Sequence, residues 1–285
     1  MALFTNYATL SYNGVTTTSN VVTGEILDPI TAGKTAVVPE YTASEDVTFL
    51  ITLTNSGAEA VTGLTVTDDL GGYAFEGETV YPLAYVENSL RYFVDGVLQN
   101  APAVVSGPPL VVSDISVPAD GNVVLVYEAT VTAYAPLAAD TSITNTVEIT
   151  GAGLSAPVTA SATITAENNA DLRIRKALFP TVVAANGELT YTFTMENTGN
   201  TAAVDGVVLE DTFDPRLGAV NVSFNGTPWT VGVNYTYDEA TGVFATMPGQ
   251  IGVPAANFAQ NADGSWTVTP GSAVLTVTGT VMTNT

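Results

Sequence analysis

The chain of 285 residues contains only two lysines, Lys34 and Lys176, and they stand at the same point of two copies of one repeat. Lys34 to Asn55 aligns with Lys176 to Asn197 without a gap, because 176 − 34 and 197 − 55 both equal 142. In each copy the lysine opens a strand and an alternating run follows, Phe49, Ile51 and Leu53 in one, Tyr191, Phe193 and Met195 in the other. An Asn-Ser-Gly or Asn-Thr-Gly turn closes the run. Two lysines kept for one structural address point to a job other than solubility. Cysteine and histidine are both absent, which removes disulfides, thiolate chemistry, zinc sites and imidazole acid/base catalysis together. What remains is the chemistry of amines and carboxylates.

The other candidate groups weigh less. Asp68-Asp69 and the pair Asp211 and Asp214 suggest calcium, but that ion needs several convergent oxygens and no spaced acidic loop is present. Paired carboxylates for glycoside hydrolysis are available in number, yet nothing in the sequence places two of them in one cleft. The reading is therefore not an enzyme, and no cofactor or metal is expected. Asn221, Asn225 and Asn234 match a glycosylation pattern and read as ordinary hairpin residues. A net charge of −22, from 28 acidic against 6 basic residues, disfavours nucleic acid and anionic membranes, which are bound through clustered Lys and Arg.

The elements that must position the lysines are strands. Val47–Thr54, Gly63–Thr67, Asn122–Thr132, Leu189–Glu196 and Ala273–Met282 alternate apolar with Thr or small polar residues, a pattern suited to a pleated, half-buried surface. No stretch shows a helical period. Asp95-Gly96, Asn225-Gly226, Asp120-Gly121 and Asp263-Gly264 supply hairpin turns at short spacing. With 46% hydrophobic residues the chain can bury two cores, and the expectation is an all-β protein of two tandem antiparallel β-sandwiches. No run approaches the roughly 18 apolar residues of a membrane span, so no membrane insertion is expected. The N-terminus lacks a basic region and an apolar core, so no signal peptide is expected, and a retained Met1 argues against processing.

The repeat extends beyond the lysines. Leu64–Asp68 corresponds to Val207–Asp211, and Gly121–Val131 to Gly271–Val281. The first copy continues through Ile143–Gly151 and a further strand to about Thr165, whereas the second stops at Thr285. A counterpart of the closing strands stands at the other end of the chain, where Phe4–Gly14 matches Ile143–Gly153 without a gap, aligning Asn6 with Asn145. The expected domains are thus an N-terminal donor segment, 1–26, a first sandwich, 27–166, and a second, 167–285, completed by a neighbouring subunit.

Residues 27–33 span at most ~25 Å when extended, too little to loop the donor segment past the first sandwich to the second of the same molecule. Phe4, Asn6, Ala8, Leu10 and Tyr12 are then an extended strand given to another molecule's open sheet, and a head-to-tail contact of this kind generates a fibre. The alternative is a self-contained molecule: the N-terminal strand pairs inside the first sandwich, and Thr283-Asn284-Thr285 serves as the second copy's version of Thr144-Asn145-Thr146.

A strand-opening lysine, an Asn-(Ser/Thr)-Gly turn, a Val-Thr-Asp motif and a closing Thr-Asn-Thr-Val together resemble the bacterial surface repeat family catalogued as domain of unknown function eleven. That resemblance covers nearly the whole chain, twice. It implies immunoglobulin-like modules of Gram-positive and related cell envelopes, with a structural or adhesive role. The chain departs from usual members in lacking an export signal and a wall-sorting tail; assembly inside a sporulating mother cell and release on lysis would remove the need for secretion, as for a spore appendage. Gram-positive pilins and adhesins with similar sandwiches often carry a Lys–Asn isopeptide bond beside a carboxylic acid. By that resemblance Lys34, Asn145 and Asp68 form an intramolecular trio, and Lys176 and Asp211 form a second with Asn6 of the next subunit. Asp46 and Glu188 are fallback acids, expected at exposed strand starts. The plain reading of the lysines is a salt bridge or an anti-aggregation charge at a strand edge, with Asn145 capping a turn. A monomeric adhesin displaying loops to a ligand is the rival to the homopolymer.

Overall fold

The structure, a computed structural model, describes residues 2–26 and 29–282. It is all-β, with no helix among the described residues. By contact the chain divides into two compact units, one running from the N-terminus to Pro136 with Thr141–Ala166, the other comprising Leu137–Asp140 and the chain from Glu167 onward.

The first unit contains a sandwich of two sheets. One sheet sets Ile30–Ala36, Asp46–Asn55, Asn122–Val131, Arg91–Val94 and Val97–Gln99 side by side. The other runs Val104–Val105, Leu110–Val117, Val61–Asp68, Ser142–Thr150, Val158–Ala166 and Glu40–Tyr41. Strict alternation decides which face of each strand is buried. Val47, Phe49, Ile51 and Leu53 face inward beside Val123, Leu125, Tyr127 and Ala129, and Leu64, Val66, Val147 and Ile149 meet them from the second sheet. Each large side chain so buried contributes ~1.5–3 kcal/mol.

The second unit repeats the ladder with less cover. Leu172–Phe179, Glu188–Asn197, Gly271–Val281, Leu217–Phe224 and Thr227–Pro228 form one sheet, and Glu210–Thr212, Val243–Thr246 and Tyr235–Asp238 a smaller one. Leu189, Tyr191, Phe193, Phe213, Phe244, Leu275 and Val277 are buried between them. The register of the repeat is kept rung for rung. Lys34 stands opposite Ile51 and Phe49 opposite Tyr127; Lys176 stands opposite Phe193 and Tyr191 opposite Val277.

The turn asparagines hold both copies in the same way. Asn55 Nδ2 donates to the carbonyls of Glu59 and Pro118 while its Oδ1 accepts from Gly57 N. Asn197 Nδ2 donates to Thr201 and Pro254, and its Oδ1 accepts from Gly199 N and Asp171 N. Both are buried polar residues with their amides paired, as burial requires.

In the N-terminal segment, expected to supply closing strands, the donor run from Phe4 to Tyr12 is split between two strands, Ala2–Asn6 and Thr9–Tyr12. Ala2–Asn6 pairs with Val22–Ile26, and Thr9–Tyr12 with Val15–Thr18, so the segment doubles back into a ribbon. Asn13 and Gly14 both take positive φ at its tip, 49° and 80°, the two-residue turn that matches strand twist. Asn-Gly between Tyr12 and Val15 was a readable signal for this hairpin. Paired hydrogen bonds between Ala8 and Ser19 join its two halves. Among the described residues, no strand of the ribbon is paired with a strand of the sandwich. Leu3, Phe4, Leu10 and Tyr12 are all exposed. Thr283-Asn284-Thr285, the C-terminal element of the self-contained alternative, lies outside the described residues.

The ribbon has the build of the hairpin that closes the first sandwich. Ile143 and Asn145 stand opposite Ile164 and Ala162, and their matched residues Phe4 and Asn6 stand opposite Gly24 and Val22. Gly24 has a packing reason: a Cβ there would sit 2.3 Å from the Phe4 ring.

Candidate functional site

Period-two alternation brings the first lysine indoors. In Ile30–Ala36 the residues Ile30 and Lys34 share the inward face. Asp68 ends the inward row Leu64, Val66, Asp68 of its strand. Val147 lies directly opposite Asp68, so Asn145, two residues away, points to the same side one rung further on. Tyr127 projects from the facing sheet. The lysine and its acid therefore reach across the sandwich from different sheets and meet in its core.

Lys34 Nζ donates to Asp68 Oδ2 at 2.6 Å, and the side chains are 0% and 1% exposed. The Tyr127 hydroxyl donates to the same Oδ2 at 2.5 Å, and Leu70 N donates to Oδ1 at 3.0 Å. Asn145 Nδ2 donates to the Tyr127 hydroxyl oxygen at 3.0 Å. Asn145 Oδ1 is buried with no hydrogen-bond partner. Aromatic rings wall the site: Phe49 stacks on Tyr127 at 5.6 Å, and the Lys34 amine sits 5.4 Å from the Phe49 centroid.

Burial sets the electrostatics. It pushes the Lys34 amine below its ordinary pKa, against the opposing pull of Asp68 and Asp69. It also pushes the Tyr127 hydroxyl well above its ordinary value, with the Asp68 charge adding to the effect. Desolvation disfavours the charged form of each group. An amine so placed is a nucleophile once its proton passes to the carboxylate.

The structure thus brings Lys34, Asp68 and Asn145 together and adds Tyr127, which sequence reading did not single out. Its signal was a hydroxyl-bearing residue in the otherwise apolar inward row Val123, Leu125, Tyr127, Ala129. Asp69 has a structural task, its Oδ1 accepting from Gly71 N and Thr146 N. Among the described residues no group of three or more Asp or Glu is placed to hold a metal. Asp46 and Glu188 are exposed at strand starts, Asp46 accepting from the Thr130 hydroxyl.

The second lysine has the same partner and a different setting. Lys176 Nζ donates to Asp211 Oδ2, with the side chains 41% and 17% exposed. It lies over Tyr191, at 4.5 Å from the centroid, with Phe193 and Phe213 slightly farther, an arrangement that favours a cation. In the first unit the Val158–Ala166 strand packs against the Lys34 strand. No strand of the second unit does this for Leu172–Phe179 among the described residues, and every residue of that strand is exposed.

Glu210–Thr212 is likewise paired on one side only, with Val243–Thr246. Between these edges Leu172, Ile174, Met195, Val207, Leu209 and Val253 line a cavity of about 300 Å³. The position of Tyr127 is taken by Val277, and the hydroxyl moves across the rung to Tyr191. Asn6 is exposed on the ribbon, which belongs to the first unit.

No protein-family model and no curated protein sequence matches the chain. Among solved structures it is similar to BcpA, the major pilin subunit of Bacillus cereus, at 14% identity over 95% of this chain and 73% of that one, with a TM-score of 0.37. The collagen-binding subdomain of the Enterococcus faecalis surface protein ACE matches at 7% identity over 50% of this chain and 99% of that one, TM-score 0.33. A family 123 glycoside hydrolase from Clostridium perfringens matches at 9% identity and TM-score 0.30, over 49% of this chain, which spans 28% of the hydrolase's length. A pilin, an adhesin and an enzyme all fall at this depth, so the similarities choose no function; the described strands themselves make the chain an all-β protein of immunoglobulin-like sandwich architecture.

Proposed function

We propose that this chain is a structural subunit of a bacterial surface fibre and belongs to the surface repeat family its motifs resemble. The N-terminal ribbon of one molecule seats on the open edge of the second sandwich of the next. One observation carries the reading: an exposed hairpin built like the closing hairpin of the first sandwich occurs in the same chain as a sandwich whose corresponding edge is uncovered. Exposed ladders and apolar side chains at such an edge are an aggregation hazard unless a strand covers them. Leu3, Phe4 and Leu10 on one partner and Ile174, Leu178 and Val208 on the other are exposed apolar residues, each offering up to ~1.5–3 kcal/mol if fully buried. A directional contact of this kind propagates without closing.

Isopeptide bonds lock the fibre in this reading. Lys34 joins Asn145 within the first sandwich, and Lys176 joins Asn6 of the neighbouring molecule, where Asp211 supports the amine as Asp68 does in the first. The product is a non-enzymatic, self-assembled homopolymer on a cell or spore surface, needing no cofactor.

The test compares the full chain with one lacking residues 2–26. The full chain forms long filaments by electron microscopy and a ladder on a denaturing gel, and its intact mass is lower by one ammonia per bond. The truncated chain stays monomeric. Filaments that form unchanged after truncation would falsify strand donation, and monomers in both preparations would leave the adhesin reading in its place.

A further inference from the structure

We infer that Tyr127 is the proton relay of the first isopeptide site, carrying a proton from Asp68 to the departing nitrogen of Asn145. The inference rests on the isopeptide reading above. Its basis is a chain of three contacts, Lys34 Nζ to Asp68 Oδ2, Asp68 Oδ2 to the Tyr127 hydroxyl, and that hydroxyl to Asn145 Nδ2. Asp68 has no hydrogen bond to Asn145; its remaining oxygen is held by Leu70 N. The tyrosine is the hydrogen-bonded link between the acid and the leaving group, in a core where Lys34, Asp68, Tyr127 and Asn145 are all buried.

The chemistry requires such a link. Amide nitrogen is a poor leaving group unless protonated, and proton transfer by a positioned side chain is worth ~10²–10⁴-fold in rate. Lys34 gives one proton to Asp68 and becomes a neutral amine. Its lone pair attacks Asn145 Cγ, and the carbonyl electron pair moves to Oδ1. Before attack the planar Nδ2 has no lone pair to offer, so it donates to the tyrosine oxygen, as observed. After attack Nδ2 is an amine and an acceptor. The hydrogen-bond direction then reverses: Asp68 protonates the Tyr127 oxygen as the Tyr127 proton moves to Nδ2. The C–N bond breaks as the Oδ1 electron pair returns. The attacking nitrogen loses its second proton by the same route, and nitrogen departs as ammonium. Lysine ammonium and asparagine amide become one secondary amide and one ammonium ion, with Asp68 and Tyr127 restored.

The copies differ at this position. At the rung of Tyr127 the second repeat has Val277, and a tyrosine appears instead at position 191, across the rung. Burial, and after it the Asp211 and Asp214 charges, raises the Tyr191 hydroxyl, but the hydrogen bond that Tyr127 gives to Asp68 has no counterpart from Tyr191 to Asp211 among the described residues.

Tyr127→Phe keeps the ring that stacks on Phe49 and deletes only the bridging oxygen. Ammonia loss is followed by intact mass from the first minutes after cell-free synthesis of the full chain, with folding monitored by near-ultraviolet circular dichroism. The relay predicts about a hundredfold slower loss in folded Tyr127→Phe. Should that variant not fold, 3-fluorotyrosine placed at position 127 alone preserves the geometry and makes the hydroxyl a stronger acid. The relay then predicts a changed rate and a shifted pH profile, which a purely structural hydroxyl would not produce. Wild-type rates in either folded variant overturn the relay and leave the bond reading standing. A wild-type chain that keeps its full mass overturns both.

Discussion

Lys34 and Lys176 occupy the same rung of the same ladder and face the same acid, yet one side chain is sealed from solvent and the other is 41% exposed. The strands that carry them differ little in pattern. What differs is the strand laid over them: Val158–Ala166 covers the first lysine strand, while the second has no such cover among the described residues. Burial of a charge is thus a property of the neighbouring element. The same Lys–Asp pair is a core feature in one sandwich and a surface feature in the other.

The sharpest way to break this contrast is to delete each lysine in turn, in an Asn145→Ala background that cannot form the first bond. Lys34→Met leaves Asp68 buried without its counter-charge and should lower the stability of the first sandwich by about 3–5 kcal/mol, read from urea unfolding of the monomeric, ribbon-deleted chain. Lys176→Met in the same chain should cost about 0–1 kcal/mol. Equal losses would show that the exposed site is as dry in solution as the sealed one.

Where the copies are alike, mutations should be alike. Asn55→Ala and Asn197→Ala each strand buried turn carbonyls and should each cost about 1–3 kcal/mol. A gap between the two larger than that range would mean that the second sandwich is loose well beyond its open edge.

The smallest effect expected is one of pH. Burial raises the hydroxyls of Tyr127 and Tyr41, the latter to about 12. Their contribution is intact below the unfolded value of about 10 and is lost as pH climbs through the folded values, because the unfolded chain ionises first. In an unlinked chain the lowered Lys34 acts oppositely, adding stability as pH rises from its folded value towards the ordinary lysine range. A melting temperature that falls in both sandwiches above the ordinary lysine range of about 10.4, since burial also raises the hydroxyls of Tyr191, Tyr235 and Tyr237 in the second, would agree; a first sandwich whose profile stays flat there would contradict the burial of Tyr127.

Much of the site was legible because period-two alternation and an ungapped offset are local facts. The offset of 142 aligned the lysines, and the structure keeps their rungs opposite Ile51 and Phe193. Tyr127 was not legible in the same way. Its role depends on a contact across the sandwich, 59 residues from Asp68, and one aromatic in an apolar row looks like core until its hydroxyl is located. The ribbon lay between these cases: Asn13-Gly14 signals a hairpin, whereas the match between Phe4 and Ile143 shows kinship with a strand and not that the segment folds back on itself.

Sequence alone determined the all-β character, the ungapped offset between the two lysine strands and the inward rows of strands such as Asp46–Asn55 and Glu188–Asn197, and it put the lysines, the acids and the asparagine forward as candidates. Alternation, turn chemistry and repetition are short-range or one-dimensional, and a single chain displays them. Tertiary structure alone decided which lysine is dry, that a tyrosine bridges acid and amide, and that the N-terminal segment stands as a self-paired ribbon. Desolvation and three-way hydrogen bonding depend on which sheets meet, and strands far apart in sequence make that choice.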